Sequence, residues 1–240
     1  MTRKTVLVTG GSAGIGAACV RMAARRGYDI VMTYNSDAAG AEAVAADARA
    51  TGAAVVVHQT DVSDPDAIAA LFSGIDRLDA LINNAGIVDQ PAKVTEFSHA
   101  RLRRMFDVNV IGAMLVAKET LLRMPHGGVI INISSAAARN GAANEYVDYA
   151  ASKAAIDTFS KGLSDEVAGQ GIRVVSLRPG VIDTDIHAKG GRPDRADRIG
   201  PGVPIGRKGT ADEVAETVLW LMSDAASYIT GTAIDVSGGR

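Results

Sequence analysis

The chain has 240 residues, 47% of them apolar and 22% charged, with 25 Lys plus Arg against 27 Asp plus Glu and a formal charge of −2. Balanced charge argues against a nucleic-acid-binding surface. A single cysteine excludes an internal disulfide or thiolate cluster and points to a reducing compartment. No stretch reaches the ~18 apolar residues of a membrane span, and the short run after Met1 is no signal peptide, so a cytoplasmic protein is expected.

Short β-branched runs alternate with alanine-rich stretches. In chain order the predicted strands are 5–9, 29–34, 54–59, 80–83, 129–134, 173–178 and 233–236; the predicted helices are 14–26, 38–50, 65–72, 98–124, 149–168 and 211–222. Most strand runs are continuously apolar, as when helices cover both faces of a parallel sheet. The alternation predicts an α/β fold: one domain with a doubly wound, Rossmann-type parallel sheet of about seven strands and helices on both faces. Gly27, Gly52 and Gly169 stand where helix C-caps belong. One segment departs from the pattern. Residues 183–209 hold six of the 26 glycines and three of the seven prolines, start after a strand, and are expected to form an irregular substrate lid.

Between the first strand and first helix lies Thr9-Gly10-Gly11-Ser12-Ala13-Gly14-Ile15-Gly16. Glycines there allow positive φ and close backbone approach, and the helix start offers free N–H groups to a pyrophosphate. The spacing is not the common G-x-G-x-x-G, but its position at the first strand-to-helix turn favours a dinucleotide. Other strand ends agree: Asp61-Val62 could reach an adenine, and Asn83-Asn84-Ala85-Gly86 leaves room for a nicotinamide ribose.

Tyr149 and Lys153 are four residues apart at a helix start and so share one face. An ammonium beside a phenol favours phenolate and is expected to lower the tyrosine pKa, as proton exchange with an alcohol or carbonyl requires. Tyr146 lacks such a partner, because position 150 is alanine. Ser135 ends the fifth strand, with Ser134 on the opposite face by alternation.

With these motifs in order, essentially the whole chain resembles the single-domain short-chain dehydrogenases/reductases. That resemblance implies an oxidoreductase in which Tyr149 is the general acid or base. Lys153 would hold the nicotinamide ribose, Ser135 would polarise the substrate oxygen, and Asn109 would position a water linking Lys153 to solvent. It further implies cofactor contacts from Gly10, Ser12, Gly14, Ile15, Gly16, Asn84, Ala85, Gly86, Pro179, Gly180, Ile182 and Thr184, and a homotetramer packed through helices 98–124 and 149–168. The alternative is a redox-inactive dinucleotide-binding sensor or scaffold, against which the intact Ser135, Tyr149 and Lys153 speak.

The second strand ends Tyr34-Asn35-Ser36, with tyrosine where an acid would accept the ribose hydroxyls of NAD. Asp37 is better placed to start the next helix. Ser12, Asn35 and Ser36 could hold a 2′-phosphate, so NADP(H) is expected over NAD(H), despite alanine at position 13. The substrate is a small carbonyl or alcohol, expected between 136–146 and the lid, with Asn140, Asn144, Glu145, Tyr146, Ile186 and His187 nearby. Arg101, Arg103 and Arg104 are expected on a solvated helix face. The scattered histidines show no metal-ligand spacing.

Overall fold

The computed structural model describes residues 3–240; the side chains of His187 and Lys189 are outside the described set, so the expectation placed on His187 falls outside it. In chain order come β1 (Thr5–Val8), α1 (Gly14–Arg25), β2 (Asp29–Tyr34), α2 (Ala38–Arg49), β3 (Val55–Gln59), α3 (Pro65–Phe72) and β4 (Ala80–Asn83). There follow α4 (His99–Phe106), α5 (Ala113–Leu121), β5 (Val129–Ile133), α6 (Ala137–Asn140), α7 (Val147–Val167), β6 (Arg173–Pro179), α8 (Ile186–Lys189), α9 (Arg195–Ile199), α10 (Ala211–Met222) and β7 (Thr232–Val236). All seven strands are parallel, in the order β3-β2-β1-β4-β5-β6-β7. The order reverses between β1 and β4, and ligands bind at the carboxyl ends of strands beside such a switch.

The apolar strand runs divide by alternation between two cores. Val6, Val8, Ile30, Met32, Ile131 and Leu177 face α1, α2 and α10. Leu7, Val31, Leu81, Ile130 and Val174 face α3, α5 and α7. Burial on both faces is why these runs show no polar alternation. Helix starts are set by side-chain caps: Asp37, Asp64 (followed by Pro65), Ser98, and the Thr210–Glu213 capping box.

Four sequence expectations need correction. The predicted helix 98–124 is interrupted: α4 passes through a π-helical turn, Asp107–Gly112, into α5. The widened turn accommodates Gly112, where a Cβ would collide with the Val62 carbonyl oxygen. The helix predicted to start at Tyr149 begins at Val147, so Tyr149 sits inside its first turn. The glycine ending α7 is Gly171 (φ 71°), while Gly169 lies within a short 3₁₀ turn. Finally, residues 183–209 are not structureless. They contain α8, α9 and a 3₁₀ turn, and their ends are pinned together by Asp183 N–H to Gly209 O and Gly209 N–H to Val181 O, both 2.9 Å.

Candidate active site

The glycine turn leaves β1 at the switch point. Gly10 and Gly14 adopt φ of 67° and 54°, open to glycine without strain. A Cβ on Gly16 would run into the Gly10 carbonyl oxygen and come within 2.6 Å of Asn84 Nδ2, so only glycine lets α1 start this close to the turn. The N-cap of α1 is Ala13, which has no capping side chain, and the first turn carries no acid. The opening N–H groups of α1 are therefore free to meet an anion. Thr184, across the 183–209 segment's entry, lies beside Gly14, whose Cβ would sit 3.2 Å from the threonine methyl.

The end of β4 braces this turn. Asn84 Nδ2 donates to Thr9 O (2.9 Å) and Gly10 O (3.0 Å), and the Asn84 and Ala85 N–H groups donate to Thr9 Oγ1, both at 2.9 Å. Asn83 is buried and donates to Ala113 O and Asn132 Oδ1. The amides at 83–84 thus hold backbone rather than leaving open room, and the space comes from Ala85 and Gly86. Gly86 is confined between Asn109 and Lys153: its Cβ would lie 3.2 Å from Asn109 Oδ1 and 3.3 Å from Lys153 Nζ.

At the adenine end, Asp61 is exposed and its carboxylate accepts from the N–H and hydroxyl of Ser63, while Val62 is buried. Asn35 and Ser36 are exposed beyond β2. Asp37 caps α2, its carboxylate accepting from Gly40 N–H at 2.9 Å.

A cavity of about 420 Å³ opens at this sheet edge. Ile15, Asn84, Gly86, Pro179, Gly180, Ile182 and Thr184 line one part of it; Ser135, Tyr149 and Lys153 share its wall. Ser135 Oγ accepts from Ala137 N–H at 3.1 Å and lines the cavity together with Tyr149. Ser134 is turned away, donating to Lys153 O at 3.0 Å. Lys153 is 5% exposed and donates from Nζ to Ile133 O at 2.8 Å. Desolvation lowers its pKa from 10.5 to about 8, opposed by the charge of Asp157.

The Tyr149 phenol differs from the sequence expectation. Burial pushes it above its ordinary range; the hydrogen bond from Ser135 and then the charge of Arg195 pull it down. Lys153 Nζ lies 5.8 Å from the Tyr149 ring centroid, over the ring, and its bond goes to the Ile133 carbonyl. Burial sets the direction here, Ser135 and Arg195 oppose it, and the neighbouring ammonium is not among the causes.

Asn109 sits in the π-helical turn, 1% exposed. Its amide clamps the Ile87 backbone, accepting at 2.8 Å and donating at 2.9 Å, and donates to Ser152 Oγ at 3.1 Å. Ser152 in turn donates to Tyr149 O at 2.7 Å. A π-turn is a frequent device at functional sites, because it re-aims one side chain out of the helical register.

Three groups escaped sequence reasoning. Arg101 is not solvated: it pairs with the fully buried Asp148 carboxylate at 2.6 Å, lies over Phe97, and donates to Gln90 O at 2.7 Å. Asp148 also accepts from the Tyr149 N–H, so the pair anchors the start of α7. Arg195 of α9 pairs with Glu145, and both line the cavity. Ser152 joins Asn109 to α7. The expected linings Asn140, Glu145, Tyr146 and Ile186 border the cavity, whereas the exposed Asn144 (φ 66°) is outside its wall. Local spacing carries no signal for partners 47 or 50 residues apart.

The chain matches, over residues 10–240, the family described as Enoyl-(Acyl carrier protein) reductase. It is 45% identical over 243 residues to the uncharacterized oxidoreductase YgfF of Escherichia coli, covering 98% of both chains. It is 39% identical to 3beta-hydroxysteroid dehydrogenase 1 of Eggerthella lenta, covering 98% of this chain and 93% of that one. Among solved structures it is similar to a short chain dehydrogenase from Burkholderia cenocepacia in complex with NADP, with 32% identity, a TM-score of 0.91 and 98% and 97% of the two chains covered.

Proposed function

Because the chain belongs to the short-chain dehydrogenase/reductase family and is an oxidoreductase acting on CH–OH groups, we propose that it transfers hydride between NADP(H) and a carbonyl/secondary-alcohol pair, with Tyr149 handling the proton. The observation that carries this reading is the common wall: Ser135, Tyr149 and Lys153 border the same cavity as the glycine turn's Ile15.

A nicotinamide dinucleotide suits the residues present, since Gly10, Gly14 and Gly16 leave backbone where side chains would stand and the start of α1 lacks a capping side chain. When bound, the dinucleotide supplies or accepts the hydride. The free N–H groups of Gly14, Ile15 and Gly16 would hold its pyrophosphate. Lys153 would hold the nicotinamide ribose, with Pro179, Gly180, Ile182 and Thr184 along the nicotinamide and phosphates. Ser135 would donate to the substrate oxygen. Tyr149, protonated at neutral pH because burial holds its pKa up, would give its proton to that oxygen in reduction and take it back in oxidation. Asn109 would position a water between Lys153 and solvent, and residues 183–209 would cover the substrate.

NADP(H) is preferred because β2 ends without a free carboxylate. Asp37 is occupied by its own helix cap, leaving the neutral Ser12, Asn35 and Ser36 to meet a 2′-phosphate. Among the described residues no helix is long and apolar enough to cross a membrane, and we place the protein in the cytoplasm. We also assign it a homotetramer packed through α4, α5 and α7, with Ile111 exposed in the π-turn between the first two and Leu122 exposed just after α5; light scattering tests this.

Tyr149→Phe is the decisive test. It should abolish NADPH-linked turnover while leaving NADPH binding, followed by fluorescence, within about threefold of wild type. Unchanged turnover refutes the role of Tyr149. Equal affinity for NADH and NADPH refutes the cofactor preference.

A further inference from the structure

The cavity has a charged end that hydride transfer does not explain. Glu145, Tyr146 and Arg195 line it together, the first two from the loop before α7 and the third from α9. The Arg195 guanidinium stacks over the Tyr146 ring, 5.0 Å from its centroid, and approaches Glu145 at 2.9 Å. Its side chain is 15% exposed; Arg198, which also reaches Glu145 at 3.6 Å, is 53% exposed. The residues lining the cavity include the cations Lys153 and Arg195 beside one carboxylate side chain, Glu145.

A guanidinium carries five N–H donors in a planar fork. Glu145 is the one polar partner of Arg195 among the described residues, so most of that fork faces no protein acceptor. Those donors are open to the cavity and to water, and a carboxylate is the ligand that fills two of them at once. Arg198 can retain Glu145 when a second carboxylate takes the Arg195 fork. Beside these the wall is mostly apolar, with Val88, Ala137, Ala142, Ala143 and Ile186 and the polar Asn140.

We infer that the substrate is a small hydroxy or oxo carboxylic acid whose carboxylate is received by Arg195 while its reacting oxygen faces Ser135 and Tyr149. This rests on the reading of Tyr149 as the proton-transfer group. Size agrees, since the nicotinamide end must share the same cavity of about 420 Å³. The two ends are also close, because Arg195 lies over Tyr146, the N-cap of α7, three positions before Tyr149, and all three line the cavity. A phosphate on a carrier-bound acyl group would suit the same guanidinium, and the test separates the two.

The experiment compares kcat/KM for 3-hydroxybutyrate and 4-hydroxypentanoate with that for their primary amides, in wild type and Arg195→Gln. A third pair is acetoacetyl-coenzyme A against acetoacetyl N-acetylcysteamine thioester. The wild type should favour the acids at least tenfold, and the ratio should fall to about one in Arg195→Gln. No acid preference in the wild type, or an equal loss for acid and amide in the variant, overturns the inference while leaving the oxidoreductase reading intact. A preference confined to the coenzyme A pair assigns Arg195 to phosphate and also overturns it. Turnover of no member of any pair overturns the inference, because none of the acids is then a substrate. Should Arg195→Gln fail to fold, Glu145→Gln replaces it: removing the competing carboxylate should raise the acid-to-amide ratio, and an unchanged or lower ratio overturns the inference.

Discussion

Replacing Lys153 with methionine should stabilise the protein at neutral pH while eliminating its activity. Lys153 is 5% exposed, and desolvation lowers its pKa from 10.5 to about 8. At ~1.36 kcal/mol per unit, the shift represents on the order of 3 kcal/mol. Below pH 8 the lysine is protonated in both folded and unfolded chains, and the folded state carries the whole desolvation cost. Between pH 8 and 10.5 the folded lysine loses its proton first, so the unfolded chain binds more protons and stability rises with pH. Above 10.5 both forms are neutral and the cost is gone. Methionine keeps the unbranched shape and removes the charge, but it also removes the bond to Ile133 O, which contributes about 1 kcal/mol. The variant should therefore be about 2 kcal/mol more stable than wild type at pH 7, with the advantage gone at pH ~9.5 and reversed to about 1 kcal/mol in favour of wild type above pH ~10.5. Urea denaturation of both proteins at matched concentration across this range measures the difference, with titrations elsewhere in the chain cancelling. A variant less stable at pH 7, or a difference that does not change with pH, would refute the reasoning. On the proposed mechanism the gain is the converse of a functional cost, the buried cation being kept for chemistry rather than for folding.

Arg101→Met should cost about 3–5 kcal/mol, because it leaves the buried Asp148 carboxylate unpaired; Arg101→Met with Asp148→Asn should recover more than half. Urea midpoints check this, and equal losses in the single and double variants would contradict it. Gly16→Ala should weaken NADPH binding at least tenfold with the fold retained by circular dichroism, since its Cβ collides with the Gly10 carbonyl; an unaltered Kd would show that the turn can yield. Alcohol oxidation should rise with pH as Tyr149 ionises. Ser135→Ala should move that limb to higher pH, because the bond that lowers the phenol pKa is lost; a limb at lower pH rules this out.

Much of the fold was legible because its signals are local. Short, mostly apolar runs marked all seven strands, and Asp37 announced the start of α2 through a cap that acts within three residues. The break at Asp107–Gly112 was not legible, since nothing in its composition separates a π-turn from an α-helix; it ends at Gly112, which packs against the Val62 carbonyl, 50 residues earlier. In the candidate site, Tyr149 and Lys153 could be read as one helix face, and Ser135 could be separated from Ser134 by strand alternation.

The sequence by itself determined the order of elements, the glycine turn and the spacing of the residues that carry chemistry, because those depend on backbone freedom and on periodicities of a few residues. Tertiary structure decided their electrostatics. Whether Tyr149 is pushed up or down depends on burial and on Arg195, 46 positions along the chain, and whether Arg101 is solvated depends on Asp148 arriving beneath it. Those are matters of desolvation and of charges meeting across the fold, and no local pattern encodes them.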